Sequence, residues 1–308
     1  MPNLSIIPAT GHPSAATVLG AWQFDPLVVS GILLSAVLYL RAVRRVWHTH
    51  SPSAFPRLRV LSFILGLAVL YLALQSPIDT YADLLFSDHM GQHLLLTMVA
   101  APLLVLGTPV TLALAATSAR SRRRFLLPVL HSRFIGVVGS PPFAFALFAV
   151  VMWGSHLPPV FDAALRNETF HSLEHLAYLS SALLFWWPVV GLDPNPARPS
   201  HPARLLYLFL AMPVTALLGL AIYSSSRLLY PYYGPASRSI GFSPIADQHL
   251  AGAIMWEGGM LLMVVALALV LLDWMRRDER EAERADARLA RAAGAQAAGQ
   301  RLGEQAST

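Results

Sequence analysis

The sequence predicts an all-α, polytopic membrane protein with seven transmembrane helices, an external N-terminus and a cytoplasmic C-terminus. Hydrophobic residues make up 55% of the 308 residues and charged residues only 13%, and the mean hydropathy is +0.53. Such a chain has too little polar side-chain surface to solvate a globule of this size, and its composition is typical of a multi-span membrane protein. Seven apolar runs and a one-sided distribution of arginine then indicate the number and orientation of the helices.

Each apolar run is long enough to cross a hydrocarbon core, which takes roughly 20 helical residues. No Lys or Arg precedes the first run, so the basic start of a secretory signal is missing and the first span is expected to be retained. The chain is thus divided into an extracytoplasmic segment 1–25, a membrane domain 26–273 and a charged, partly disordered cytoplasmic tail 274–308. The seven runs lie near residues 26–45, 58–76, 89–115, 139–157, 170–190, 203–224 and 249–272.

Arginine alone supplies the positive charge, since the chain contains no lysine and its net charge is +5. If the spans alternate, all but Arg166, Arg227 and Arg238 lie on one side, which the positive-inside tendency makes cytoplasmic. The arginines are therefore topology signals, and nucleic acid is not expected as a partner. In the tail, DEREAERADARLAR alternates charge at helical spacing and predicts a solvated helix before a disordered Ala/Gly/Gln end. The external connection 223–248, rich in Tyr, Pro and Ser, is expected to cap the outer face.

Six of the eleven histidines fall at the external membrane boundary or within a turn or two of it, on four different helices. Two pairs have the spacing HxxxH. Residues four apart share one helix face with Cβ atoms about 5 to 6 Å apart, so two imidazoles can bind one ion. The six are His89 and His93 at the start of span three, His156 at the end of span four, His171 and His175 at the start of span five, and His249 at the start of span seven.

Carboxylates accompany these histidines. Asp88 precedes the first pair, Glu174 lies inside the second, Asp247 stands two residues before His249, and Glu257 lies two turns deeper. Ionisable groups within a membrane are costly and usually face the bundle interior, so these carboxylates are candidates for direct ligands or for acceptors that fix a tautomer. The simpler alternative is that each histidine hydrogen-bonds between helices and that each Asp caps a helix start. The location of all six histidines on one face favours a shared metal site.

The absence of cysteine excludes disulfides, thiolate metal sites and Cys nucleophiles. Histidine with methionine nearby suits copper, or less selectively zinc, although methionine in an apolar span is more often packing than ligand. Haem is an alternative, because two imidazoles from different helices can ligate one iron axially, but the paired histidines would compete for one face. No nucleophile elbow, phosphate-binding glycine loop or zincin motif is present, which argues against a hydrolase. The nearby methionines are Met90, Met98, Met152, Met255 and Met260.

Six short motifs occur in order along the chain: SDHMGQH at 87–93, APLLVLGTP at 101–109, WGSHLPP at 153–159, HSLEH at 171–175, FWWP at 185–188 and DQHLAGAIMW at 247–256. Together they resemble the CtaG family of multi-span assembly factors for caa-type cytochrome c oxidase, over about residues 20–275. The resemblance implies participation in making a haem-copper oxidase, with copper handling as an associated role. His249 lies in a matching motif but not at its most characteristic positions. The site residues implied by matching positions are His89, His93, His156, His171, His175 and Asp247.

Two functions of different class fit these observations. The first is a non-enzymatic assembly factor in a bacterial-type plasma membrane, which binds copper at the external histidines and passes it to a cytochrome c oxidase subunit. The second is a membrane oxidoreductase, or a haem or metal protein with a His-ligated centre near the outer surface. Copper translocation ranks below both, because mainly Leu, Val and Ala lie inward of the outer third of the spans. The predicted metal ligands are His89, His93, His156, His171, His175, His249 and Asp247.

Overall fold

The computed structural model describes residues 14–195 and 197–306, and this part of the chain is helical apart from short connections, which confirms the all-α class. Residues 1–13, which include His12 and the first part of the predicted external segment, lie outside the described residues. A 3₁₀ turn at Pro52–Ala54 and π-helical segments at Leu95–Ala100, Arg122–Leu126 and Ile254–Gly258 accompany the α-helices. The α-helices are α1 (Ala15–Gly20), α2 (Pro26–Thr49), α3 (Arg57–Gln75), α4 (Pro77–Ala82), α5 (Phe86–Leu94), α6 (Ala101–Leu106), α7 (Pro109–Ala116), α8 (Ala119–Ser121), α9 (Leu127–Leu130), α10 (Arg133–Val138), α11 (Pro141–Ser155), α12 (Pro158–Arg166), α13 (Glu168–Val190), α14 (His201–Tyr223), α15 (Tyr233–Ser239), α16 (Pro244–Ala253) and α17 (Gly259–Ala306).

Among the described residues, five helices are long and apolar enough to cross a membrane, and α11 with α12, bent by 75°, adds a sixth crossing if counted as one span. The chain is therefore a multi-pass helical membrane protein. Seven crossings and an external N-terminus remain predictions. The additional predicted span coincides with α13, which is 23 residues long but is less apolar because its first half carries His171, Glu174 and His175. The five spans are Pro26–Thr49, Arg57–Gln75, Phe86–Ala116, His201–Tyr223 and Pro244–Arg291.

Carboxylates fix several helix starts. At α2, the Oδ1 of Asp25 accepts a hydrogen bond from the backbone amide of Leu27 at 2.7 Å, the usual role of an N-cap. Between α6 and α7 the chain breaks at Thr108, whose φ of 49° lies in the left-handed region that is strained for a β-branched residue. Asp193 supports this break, because its Oδ1 accepts from the backbone amide of Thr111 at 2.7 Å. Polar side chains within the bundle therefore hold the backbone where the helices are interrupted.

Two large clusters of buried side chains hold the described helices together, beside a smaller third one. One is rich in aromatic residues and includes Phe86, Phe161 and Tyr178 from α5, α12 and α13. The other lies around α2 and α3, where Tyr39 and Phe63 stack with ring centroids 3.8 Å apart. Large apolar side chains elsewhere on the spans are exposed to the surroundings of the protein, as expected for helices that face lipid. The aromatic cluster packs against several of the histidines predicted to bind a metal.

The crossing of α14 and α16 depends on two glycines. A Cβ added at Gly219 would lie 2.6 Å from the backbone nitrogen of Trp256, and one added at Gly252 would lie 2.5 Å from the backbone nitrogen of Tyr223. Small residues at helix crossings let membrane helices approach closely. This close approach fixes the position of α16 and therefore of Asp247 near its start.

The helix α17 runs for 48 residues, from Gly259 to Ala306. The solvated helix predicted for the charged tail thus lies in the same helix as the end of the last span. The helix continues through the Ala/Gly/Gln residues, for which the composition predicts disorder. Alanine, glutamine and arginine have high helix propensity, so a helix that has already formed is readily extended through them.

Candidate metal centre

Two HxxxH pairs face each other inside the bundle. His89 and His93 lie on α5, and His171 and His175 lie on α13. The ring centroids of His89 and His171 are 5.1 Å apart, and those of His93 and His175 are 5.6 Å apart. Helical spacing puts each pair on one face, and packing of α13 against the α5 span brings the pairs together. We call His89, His93, His171, Glu174 and His175 the histidine centre.

His89 and His93 are the most deeply buried members, with 0% and 4% of their surface exposed. Their Nε2 atoms are 3.0 Å apart. The Nδ1 of His89 lies 2.9 Å from the Oη of Tyr233, and this hydroxyl donates to the carbonyl oxygen of Ala82. Because the hydroxyl has one hydrogen, neutral His89 donates from Nδ1 and keeps a lone pair on Nε2. An oxygen acceptor on the far ring nitrogen is how metal-ligating imidazoles are commonly oriented.

The helix α13 contributes buried polar atoms that have no partner among the described residues. The Nε2 atoms of His171 and His175 and both carboxylate oxygens of Glu174 are buried without a hydrogen bond, as is the Nδ1 of His93. An unpaired buried polar group costs about 1 to 3 kcal/mol. Such a concentration of unpaired imidazole and carboxylate atoms in one place therefore fits a bound cation, which would satisfy several of them together.

The potential ligands form two overlapping groups. In the first, His89, His93 and His175, and in the second, His89, His171 and Glu174, one ligand atom of each residue lies within 4.8 Å of the others. The 3.0 Å between Nε2 of His89 and Nε2 of His93 lets both reach one ion at a bond length of about 2.0 Å. Since His89 has one nitrogen free, the two groups are alternative positions for one ion. The close packing of the rings suits a small ion better than a haem.

His156, at the C-terminal end of α11, lies beside the histidine centre but in neither ligand group. Its ring centroid is 6.3 Å from that of His93. Its Nδ1 lies 2.7 Å from the carbonyl oxygen of Met152 and 3.1 Å from the Oη of Tyr178. Its Nε2 lies 3.3 Å from the Sδ of Met90. The structure thus brings this predicted ligand to the edge of the centre, next to sulfur.

Asp247 is not brought to the histidine centre. Its Oδ2 accepts from the backbone amide of Phe86 at 2.7 Å, and its Oδ1 accepts from the backbone amide and hydroxyl of Ser87 at 3.1 and 2.6 Å. The carboxylate therefore holds the start of α5, and through it the position of His89 and His93. It acts on the candidate ligands from a distance, as an anion at a helix N-terminus.

His249 also lies outside the histidine centre. Its Nε2 is 3.1 Å from the carbonyl oxygen of Ser225, and its ring packs against Tyr223 with centroids 5.7 Å apart. The preceding residue, Gln248, faces the interior and binds the backbone of Arg227 and Leu229. One residue is about 100° around a helix, so His249 points to a different side of α16.

The other carboxylates near the histidines in the sequence lie outside the histidine centre, except for Glu174. Asp88 lines a separate cavity of about 310 Å³ with Tyr81, and Glu257 is exposed. Asp79 on α4, outside the candidate spans, accepts a 2.6 Å hydrogen bond from the Nε2 of Gln92, and burial raises the pKa of Asp79 to about 7. At neutral pH this group is therefore only partly ionised. Glu174 is the carboxylate that the structure places among the histidines.

The Tyr-rich connection 223–248 packs against the histidines, and its position as a cap of the external face stays a prediction. Tyr230 and Tyr233 are almost fully buried, and the Oη of Tyr230 donates to the carbonyl oxygen of His156 at 2.8 Å. Glu174, among the candidates only as a neighbouring carboxylate, belongs to a ligand group. The role of Tyr233 toward His89 had no sequence signal beyond the richness of this connection in tyrosine.

The fold and the site define a multi-pass helical membrane protein with a buried cluster of histidine and glutamate. Within that class, the chain belongs to the cytochrome c oxidase caa3 assembly factor family, whose sequence model matches residues 37–277. The resemblance carried by the six motifs is thereby confirmed.

Longer mycobacterial proteins are similar to this chain. An uncharacterized protein of Mycobacterium bovis and one of Mycobacterium tuberculosis are each 33% identical over 284 residues, which is 89% of this chain and 42% of each relative. An uncharacterized protein of Mycobacterium leprae is 30% identical over 281 residues, with the same shares covered. The chain thus spans less than half the length of these relatives. No solved structure is significantly similar to it.

Proposed function

We propose that this protein is an integral-membrane assembly factor for cytochrome c oxidase that binds copper at the histidine centre and helps the oxidase acquire its metal centre. Membership of the caa3 assembly factor family supports the oxidase as the destination. Metal binding is supported chiefly by one observation, the buried and unpaired atoms of His171, Glu174 and His175. A fold that leaves such atoms without partners loses stability unless a ligand satisfies them.

The residues of the histidine centre have distinct roles in this proposal. His89 is common to both ligand groups. The hydrogen bond from its Nδ1 to Tyr233 leaves the Nε2 of His89 available to the metal. His93 and His175 complete a position with three nitrogens, while His171 and Glu174 complete a position that carries a negative charge. Copper is the cargo, and exchanging two ligands around His89 would move it between the two positions. This gives a route for uptake and release without a catalytic residue.

The donor set also supports copper as the cargo. Imidazole binds both copper and zinc, but thioether sulfur is a soft ligand that selects copper(I). Thioether sulfur lies at the edge of the centre, since the Sδ of Met90 is next to His156. The chain contains no cysteine that would compete for the metal. Zinc is the less selective alternative for the same imidazoles.

The finer membrane arrangement belongs to the same proposal. We place seven crossings in a bacterial-type plasma membrane within a membrane domain 26–273, with α11–α12 as one broken crossing and α13 as another. The N-terminus is external and the tail 274–308 is cytoplasmic, as the arginine distribution supports. The histidine centre then lies near the external surface, where it can receive copper and meet an oxidase subunit.

The proposal is tested by the copper content and activity of the oxidase in membranes. A strain with His171→Ala/His175→Ala in place of the wild-type chain should contain several-fold less active oxidase, with less copper per oxidase. His249→Ala is the matched control, because His249 lies outside the histidine centre, and it should leave the oxidase unchanged. Wild-type oxidase activity and copper content with the double variant, present at normal levels in the membrane, would contradict the proposal.

A further inference from the structure

A second set of soft ligands lies next to the histidine centre, around a cavity of about 20 Å³. This volume is enough for about one water molecule or one ion. Four of the nine methionines of the chain line this one cavity, a concentration that core packing alone does not require. We call this group the methionine chamber; its members are Met90, Met98, Met152, Met255, His93 and His156.

The ligand atoms of the methionine chamber include two electron-pair donors that face each other. The Nδ1 of His156 lies 2.7 Å from the carbonyl oxygen of Met152. Because a carbonyl only accepts, Nδ1 carries the hydrogen, and Nε2 of the neutral ring has a lone pair. This Nε2 lies 3.3 Å from the Sδ of Met90, which has lone pairs and no hydrogen. A soft cation between or beside these two atoms would bind both.

His93 connects the methionine chamber with the histidine centre. Its Nε2 lies 3.0 Å from the Nε2 of His89. Its Nδ1 is buried and has no partner in the described part of the chain, and the residue lines the chamber. His93 thus belongs both to the chamber lining and to a ligand group, which is true of no other described residue.

The backbone is irregular where it supplies two of the methionines. Met98 lies in the π-helical segment Leu95–Ala100, and Met255 lies in the π-helical segment Ile254–Gly258. A π-helical turn costs backbone stability, because its hydrogen bonds are less favourable than those of an α-helix. Such turns are therefore rare and often mark functional positions. Two of them meet at this cavity, from two different spans.

We propose that the methionine chamber binds copper(I), through methionine thioethers and the Nε2 of His156, as a second position beside the histidine centre. Thioether and imidazole without carboxylate is a donor set that selects copper(I) over zinc or magnesium. The copper keeps its oxidation state, so no electron donor is needed. This inference rests on the proposed function in one respect, which is that copper reaches the chamber from the histidine centre through His93.

The test is X-ray absorption of the purified full-length chain loaded anaerobically with copper(I), together with its copper(I) affinity measured against a chromogenic chelator. The wild-type protein should show sulfur as well as nitrogen neighbours of copper. Met98→Leu/Met255→Leu should lose sulfur signal and bind copper(I) about tenfold or more weakly, a size reached even by changes at outer-shell metal partners. Leucine conserves most of the volume of methionine. The control is Met263→Leu, which should change neither measurement. Met263 is fully buried and lies in the same span as Met255.

Met90→Leu/Met152→Leu gives a second variant with changes on two other helices, so that poor folding of one variant leaves the test intact. Nitrogen neighbours alone in the wild-type protein, or an unchanged sulfur signal in both well-folded double variants, would overturn the chamber while leaving the histidine centre standing. Conversely, a sulfur signal that persists with unchanged copper affinity in His171→Ala/His175→Ala would support the chamber. That result would contradict the histidine centre, so the two failures are distinguishable.

Discussion

The hydroxyl of Tyr233 lies 2.9 Å from the Nδ1 of His89, although the two residues are 144 positions apart in the chain. The hydroxyl hydrogen goes to the carbonyl oxygen of Ala82. Tyr233 therefore accepts from His89 and leaves the Nε2 of His89 as an electron-pair donor toward the other histidines. A tyrosine from the connection over the bundle thus determines which nitrogen of the central histidine can bind a metal.

Tyr233→Phe removes this acceptor without changing the size of the ring. We expect metal affinity to fall by about 10- to 100-fold, the usual effect of losing an outer-shell partner of a ligating histidine. Competition titration with zinc(II) and copper(I) measures this. Tyr232→Phe is the matched control, because Tyr232 is adjacent and makes no hydrogen bond to a histidine of the centre among those described. Equal affinities of the Tyr233→Phe variant and the wild-type protein would show that the hydrogen bond does not prepare His89.

Metal binding should stabilise the protein, and removal of the metal should reverse the effect. A free metal concentration 100 times the dissociation constant adds about 2.7 kcal/mol to the free energy of unfolding. Glu174→Gln removes the negative charge from one ligand group. If affinity for a divalent ion falls about tenfold, the gain at the same concentration falls to about 1.4 kcal/mol. Thermal unfolding in detergent, with and without chelator, checks this.

The control for Glu174 is Glu257→Gln, since Glu257 is an exposed glutamate on another span. It should keep the full wild-type stabilisation by metal. A metal-dependent shift of Glu174→Gln as large as that of the wild-type protein would remove Glu174 from the ligands.

Asp247→Asn should destabilise the fold and leave the metal stoichiometry unchanged. The buried carboxylate of Asp247 accepts from Phe86 and from Ser87 at the start of α5, and an amide cannot accept on both of its heavy atoms. A loss of about 1 to 3 kcal/mol is expected for donors that lose a buried partner. Melting temperature and metal content of the same sample decide the point. Loss of bound metal from a well-folded variant would contradict a role of Asp247 that is confined to stability.

Asp79 makes stability depend on pH. Burial raises the pKa of Asp79 from its ordinary value of 3.8 to about 7, so between these values the folded protein holds a proton that the unfolded chain has lost. The contribution of this group to stability is therefore full below pH 3.8, decreases as pH rises toward 7, and is absent above that. Asp79→Asn should flatten the fall in melting temperature between pH 5 and 8. A slope equal to that of the wild-type protein would contradict this assignment.

The paired histidines could be predicted from the sequence because their chemistry is local. His89 with His93, and His171 with His175, have the four-residue spacing that puts side chains on one helix face, and the apolar runs locate both pairs near the ends of spans. Helical periodicity is a short-range property, and each pair does lie on one face of a helix in the structure. Facing of the two pairs was also expected from their equal depth.

The positions of Asp247 and His249 depend on the rotation of α16 in the bundle, which the sequence pattern leaves open. That rotation follows from the close contact at Gly219 and Gly252, two glycines on different helices. Tyr233 and the methionine chamber also result from tertiary packing, since Met98 and Met152 come from distant parts of the chain. The sequence locates these methionines near the histidines, but it does not distinguish a ligand among them from an ordinary core residue.

The central claim is that the histidine centre binds metal, and the most direct measurement is the metal stoichiometry of the purified chain. The wild-type protein and His249→Ala should retain bound zinc(II) or copper after dialysis against free metal and gel filtration. His89→Ala/His175→Ala, which removes two of the three nitrogens of one ligand group, should retain substantially less while its helical content is unchanged. Equal metal content in all three proteins, or none in the wild-type protein, would contradict the account.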